Sequence, residues 1–154
     1  MLLVGALASA CEREAYVGRS ITAAAADTLR VSGGFSYATP GSEETALYFT
    51  VHNPTGKPDT LVRVITPDSV AVTYHRSVTN GGQVRKEPLG LLSVPADDSL
   101  VLAPGGIHLM LLSAKRRSPG DTIHLSLAFA RAGTRALAIP VLAPGEPPAA
   151  HDHE

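Results

Sequence analysis

The sequence predicts an all-β domain, a two-sheet Greek-key sandwich. From Leu29 onward the chain breaks into short runs rich in Val, Ile, Leu and Thr. Clusters of Gly, Pro, Asn and Asp punctuate these runs at spacings typical of an all-β sandwich or barrel. No strand–helix alternation argues for a parallel sheet.

Eight runs are candidate strands: LRVSGGFSY (29–37), TALYFTVHN (45–53), DTLVRVIT (59–66), VAVTYHRSV (70–78), SLVLAP (99–104), IHLMLLS (107–113), DTIHLSLAFAR (121–131) and TRALAIPVL (134–142). The intervening NPTGKPD, TNGG, PADD, APGG and SPGD are turns for separate reasons. Gly supplies positive φ, Pro fixes φ, and Asn and Asp bond their own backbone. Alternation is clearest in TIHLSLAFA. There Ile123, Leu125, Leu127 and Phe129 should share a buried face, with His124, Ser126 and Ala128 on the other. The segment TNGGQVRKEP after the fourth run reads as a loop.

At 154 residues the chain is most simply one domain. With 44% hydrophobic and 18% charged residues it belongs with globular chains rather than disordered or fibrous ones. Thirteen basic and fourteen acidic residues leave a net charge of −1, so nothing points to nucleic acid. A single cysteine excludes an internal disulfide. The opening MLLVGALASAC resembles the apolar run and lipobox of a bacterial lipoprotein signal, with cleavage before Cys11 and a lipid on its thiol. No Lys or Arg precedes that run, and Ala8 stands where a lipobox usually has Leu. The alternative is an apolar terminus with an incidental Cys11. The expected organisation is a signal over residues 1–10, a tether over 11–28, the β-domain over 29–142 and a disordered His-containing tail over 143–154.

The chemistry-bearing residues are few. No Ser-His-Asp order, G-x-S-x-G elbow or glycine-rich phosphate loop is present, so no enzyme is expected. In GGIHLMLLS, His108 and Met110 lie two residues apart on an expected strand and so project from one face. Imidazole and thioether are uncharged ligands that suit Cu(I). His75 lies in another strand, while His52 and His124 read as solvated or hydrogen-bonded strand residues. Tyr74 and Arg76, beside His75, should point to the opposite face.

The spacing of these residues resembles the periplasmic copper chaperones called PCuAC. Their pattern is His, ten residues, Met, twenty-one residues, His-x-Met; here the same spacing runs His75, Lys86, His108, Met110. ALYFTVHNPTGKPDTLVRV, LAPGGIHLMLL and PGDTIHLSLAFARAG are also similar to family segments, so the resemblance runs from about Leu29 to Leu142.

The resemblance implies a cupredoxin-like β-sandwich that binds copper outside the cytoplasm and passes it on. The recipient it implies is the copper centre of a respiratory haem–copper oxidase, alongside a Sco-type partner. The implied metal ligands are His75, His108 and Met110, and Cu(I) is the implied cargo. The loop departs: both methionines of the family's segment are absent, and Lys86, whose ammonium repels a cuprous ion, stands at the ligand position where the family has Met. Two outcomes are open: a His/His/Met site that still holds Cu(I) with lower affinity or selectivity, or a preference moved toward Cu(II) or Zn(II) by the loss of soft sulfur. His151 and His153 in the tail form a His/acid tract of the kind that binds divalent metals loosely. The alternative function is a lipoprotein binding or assembly module whose metal site has decayed or altered toward Cu(II) or Zn(II).

Overall fold

The computed structural model describes residues 28–112 and 115–149. These residues form ten strands and no helix: β1 (Arg30–Tyr37), β2 (Glu44–Asn53), β3 (Asp59–Ile65), β4 (Ala71–Asn80), β5 (Gln83–Leu89), β6 (Leu92–Val94), β7 (Asp98–Leu102), β8 (Ile107–Leu112), β9 (Thr122–Phe129) and β10 (Gly133–Leu142). The fold is all-β, as the turn-punctuated pattern requires.

The ladder runs β5-β4-β8-β2-β1-β10-β9-β3-β6, with β7 also paired to β2. The pairs are antiparallel except β1 with β10, which run parallel and join the two halves of the sandwich. Strand β2 is shared along its length. Its first residues, Glu44–Leu47, pair with β8, and Phe49–Asn53 pair with β7.

Alternation places the core. In β2 the inward residues Leu47, Phe49 and Val51 are almost fully buried, as are Ile123, Leu125, Leu127 and Phe129 of β9. They join Leu61, Leu92, Val94, Leu109, Leu111, Ile139 and Val141 in one cluster drawn from both halves. Burying one large aliphatic or aromatic side chain contributes about 1.5–3 kcal/mol, so this cluster is the main stabilising term.

Two buried polar side chains tie loops to that core. Asn53 donates from its amide to the carbonyl oxygens of Lys57 and Pro95, at 2.9 and 2.8 Å, and accepts from the Thr55 hydroxyl at 2.6 Å. The Asp59 carboxylate accepts from the backbone N–H groups of Thr60, Arg131 and Ala132, at 2.7, 2.9 and 2.8 Å. It thereby locks the β9–β10 turn onto the start of β3.

The loop expected over TNGGQVRKEP is instead a hairpin. Asn80 pairs with Gln83, and Gly81 and Gly82 have φ of 57° and 79°, the double positive φ of a tight two-residue turn. QVRKEPL carries no apolar alternation because β5 is an outer strand whose side chains are exposed on both faces up to Leu89. Pro88 is tolerated there for the same reason. Strand β6 was not expected either; three residues are too few to show a period.

Candidate metal centre

The centre is built on β8 and the turn before it. That turn closes with Gly106 N–H donating to the Ala103 carbonyl and Ala103 N–H to the Ile107 carbonyl, at 3.0 and 2.9 Å. The Gly106 carbonyl then accepts twice, from Ser77 N–H of β4 and from Nδ1 of His108, both at 3.1 Å. A carbonyl can only accept, so the proton lies on Nδ1 and Nε2 of His108 keeps its lone pair. This is the usual way a metal-binding imidazole is oriented.

Register brings His75 to the same place. On the β4–β8 ladder His75 is directly opposite His108, and Thr73 is opposite Met110. Directly paired residues share a face. The His75 and His108 rings lie 5.9 Å apart between centroids at 51°. His108 and Met110 are each only 4% exposed, and His75 is half-buried. Nδ1 of His75 and Oγ1 of Thr73 are buried with no hydrogen-bond partner. A buried polar atom left without a partner costs about 1–3 kcal/mol, so two beside one imidazole–thioether pair fit a place built to take a ligand.

Among the described residues no group of three or more His, Cys, Asp or Glu could hold a metal ion. A centre here therefore has to use the Met110 sulfur beside the two imidazoles. That neutral, soft donor set fits Cu(I).

A cavity of about 220 Å³ opens onto the centre, lined among others by Glu44, Ala46, Tyr48, Lys86, His108 and Met110. His75 is not part of this wall and meets the centre through its contact with His108. On the β2 side stands an aromatic group. The Tyr48 ring is 6.4 Å from His108, 5.1 Å from Phe35 and 6.5 Å from Tyr37. Burial, and secondarily Tyr37, push the Tyr48 phenol above its ordinary value. It stays neutral at neutral pH and is no anionic ligand.

Lys86 faces this cavity, but not alone. Its Nζ lies 3.1 Å from Oε2 of Glu44, and the two side chains are 51% and 52% exposed. Sequence reasoning picked out Lys86 and missed Glu44. The only sign was that Glu44, Ala46 and Tyr48 share a face of β2; which strand they would oppose was not legible.

The other described candidates do not line this cavity. His52 is held by Ser32 at Nε2 and Ser99 at Nδ1, both at 2.9 Å, toward the far end of β2. His124 is exposed on β9. Tyr74 packs against the core, and burial raises its phenol pKa. Arg76 is exposed opposite Glu87 of β5. Cys11, His151 and His153 lie outside the described residues.

The profile of the family described as "Putative lipoprotein LpqE-like" matches residues 29–141. The chain belongs to the LpqE-like family. The relative "Putative lipoprotein Lxx21020" from Leifsonia xyli subsp. xyli (strain CTCB07) is 32% identical over 118 residues, covering 75% of this chain and 70% of that protein. Among solved structures, the copper-bound PCuAC domain from PmoF2 superposes with a TM-score of 0.63 at 25% identity, covering 79% of this chain and 97% of that domain. The apo PCuAC domain from PmoF1 gives 0.63 at 26% identity, covering 76% and 95%. Apo-DR1885 from Deinococcus radiodurans gives 0.55 at 26% identity and covers 93% of both chains. The LpqE-like fold is thus that of the PCuAC domains, and the resemblance read from the His, Lys, His-x-Met spacing holds across the domain.

Proposed function

We propose that this LpqE-like chain is a copper carrier of the cell envelope that takes up Cu(I) through His75, His108 and Met110 and hands it to another protein. The observation that carries this reading is the pairing of His75 with His108 across β4 and β8, beside a buried thioether and an orphaned His75 Nδ1. The copper-bound PmoF2 domain, similar in fold, supports it. Binding and release, rather than turnover, is the chemistry such a site offers. Three neutral ligands, two of them in the wall of a cavity, leave room for a recipient's ligand to enter before the carrier's own ligands leave. A closed four-ligand cage, as in structural zinc sites, would resist that exchange. The recipient is the copper centre of a respiratory oxidase, reached directly or through a Sco-type protein. Lipidation of Cys11 holds the carrier at the membrane outside the cytoplasm, in keeping with the family's description as lipoproteins.

The test is an anaerobic Cu(I) titration of the full chain against a chromophoric competing chelator. The expected result is one-to-one binding that survives removal of residues 151–154 and is lost when His108 and Met110 are replaced together. Copper affinity unchanged in that double variant would overturn the assignment.

A second reading, a binding or assembly module with a decayed site, draws on Lys86 standing in the cavity wall. It expects no Cu(I)-dependent rise in thermal stability, whereas a ligand bound only by the native state raises stability with its concentration.

A further inference from the structure

The Lys86–Glu44 ion pair has an unusual route. In the ladder β5 and β2 are separated by β4 and β8, the two strands that carry His75, His108 and Met110. An ion pair from β5 to β2 therefore passes over the strands that carry the centre. Both partners line the same cavity as His108 and Met110, so the pair forms part of the wall beside the centre. Exposed ion pairs contribute little to stability, and both side chains here are half-exposed. Stability does not account for its placement.

Glu44 has a second relation to the centre. On the β2–β8 ladder it pairs with Leu112 while Ala46 pairs with Met110, which makes Glu44 the diagonal neighbour of Met110 on one face. Diagonal neighbours lie within reach of long side chains. A free carboxylate there would add a hard, anionic oxygen to two imidazoles, and a His₂–carboxylate set is one that holds Zn(II). Oxygen ligands also suit the other divalent ions better than Cu(I).

We infer that Lys86 is a specificity-determining residue: by engaging Glu44 it keeps a carboxylate away from the His75–His108–Met110 centre and so holds the site for Cu(I) against divalent metals. This rests on the copper-carrier reading and deepens it. Lys86 is then more than a lost ligand. Its ammonium is spent on Glu44, which also reduces its repulsion of an incoming cation.

The experiment is a double-mutant cycle on the full chain with Lys86→Ala, Glu44→Gln and the pair together. Zn(II) and Cu(I) dissociation constants are each measured by chelator competition, the latter anaerobically. Melting temperatures close to the wild type are expected throughout, since the pair is half-exposed. Lys86→Ala should tighten Zn(II) binding by about tenfold or more, the size of a charge-assisted ligand gained, with a much smaller change for Cu(I). Adding Glu44→Gln should abolish that gain. Glu44→Gln alone, leaving the ammonium unpaired, should weaken Cu(I) severalfold. If Lys86→Ala leaves Zn(II) affinity at the wild-type value, or if its gain persists in the double variant, the selector role is overturned. A wild type that binds no Cu(I) would instead overturn the carrier reading, and the zinc measurements would still decide whether Lys86 withholds Glu44.

Discussion

Met110 is both a buried side chain and a proposed ligand, and two substitutions separate the roles. It is 4% exposed, opposite Thr73 on one side and Ala46 on the other. Met→Leu keeps volume and apolarity, so the apo protein should lose less than about 1.5 kcal/mol. Met→Ala opens a cavity and should cost about 2–5 kcal/mol. Both remove the sulfur. Because replacing even an outer partner of a metal ligand costs about 10–100-fold in affinity, losing one of three ligands should cost at least about 100-fold. At free Cu(I) a thousandfold above the wild-type Kd, copper should stabilise the wild type by about 4.1 kcal/mol; a site 100-fold weaker gains about 1.4 kcal/mol at the same concentration. For a domain of this size, at about 4 °C per kcal/mol, the copper-induced rise in Tm should fall from about 16 °C to about 6 °C. Anaerobic thermal melts with buffered Cu(I) read both quantities. If Met110→Leu kept the full copper-induced rise while Met110→Ala lost only apo stability, Met110 would be a packing residue and the ligand assignment would be wrong.

Asp59→Ala should be among the more damaging changes remote from the metal, because it strands three backbone N–H donors; a loss of about 3–5 kcal/mol in chemical denaturation is expected, with copper stoichiometry intact in the folded fraction. His52→Leu removes two serine hydrogen bonds and should cost about 1–2 kcal/mol by the same measurement, with Cu(I) affinity unchanged in the chelator titration. A copper deficit in His52→Leu would show that the two ends of β2 are coupled.

How much of this was legible in the sequence depended on burial. The β9 face and the shared face of His108 and Met110 could be read because a half-buried strand writes its exposure as a period of two. Strand β5 could not be read, since an outer strand solvated on both faces has no such period to show. His75 entered only through resemblance. Nothing in VAVTYHRSV says that its histidine will face another thirty-three positions away; that is a property of the β4–β8 register. Glu44 was invisible for a related reason, because its ion pair with Lys86 crosses two intervening strands and forty-two positions of chain.

On the proposed carrier reading, the same topology bears on how the site would let its cargo go. The core residues hold the two halves of the sandwich together, yet His75 and Lys86 belong to the β4–β5 hairpin, which meets the rest of the ladder only through β8. His75 thus sits one strand in from the β5 edge and Lys86 on the edge strand itself, while His108 and Met110 sit one strand further in. A recipient that approached from the open edge at β5 would meet the exposed ion pair and the His75 strand before the buried His108 and Met110. On the proposed carrier reading, release would then begin at the hairpin and proceed inward, and substitutions of exposed hairpin residues should alter the rate of copper transfer more than the stability of the fold.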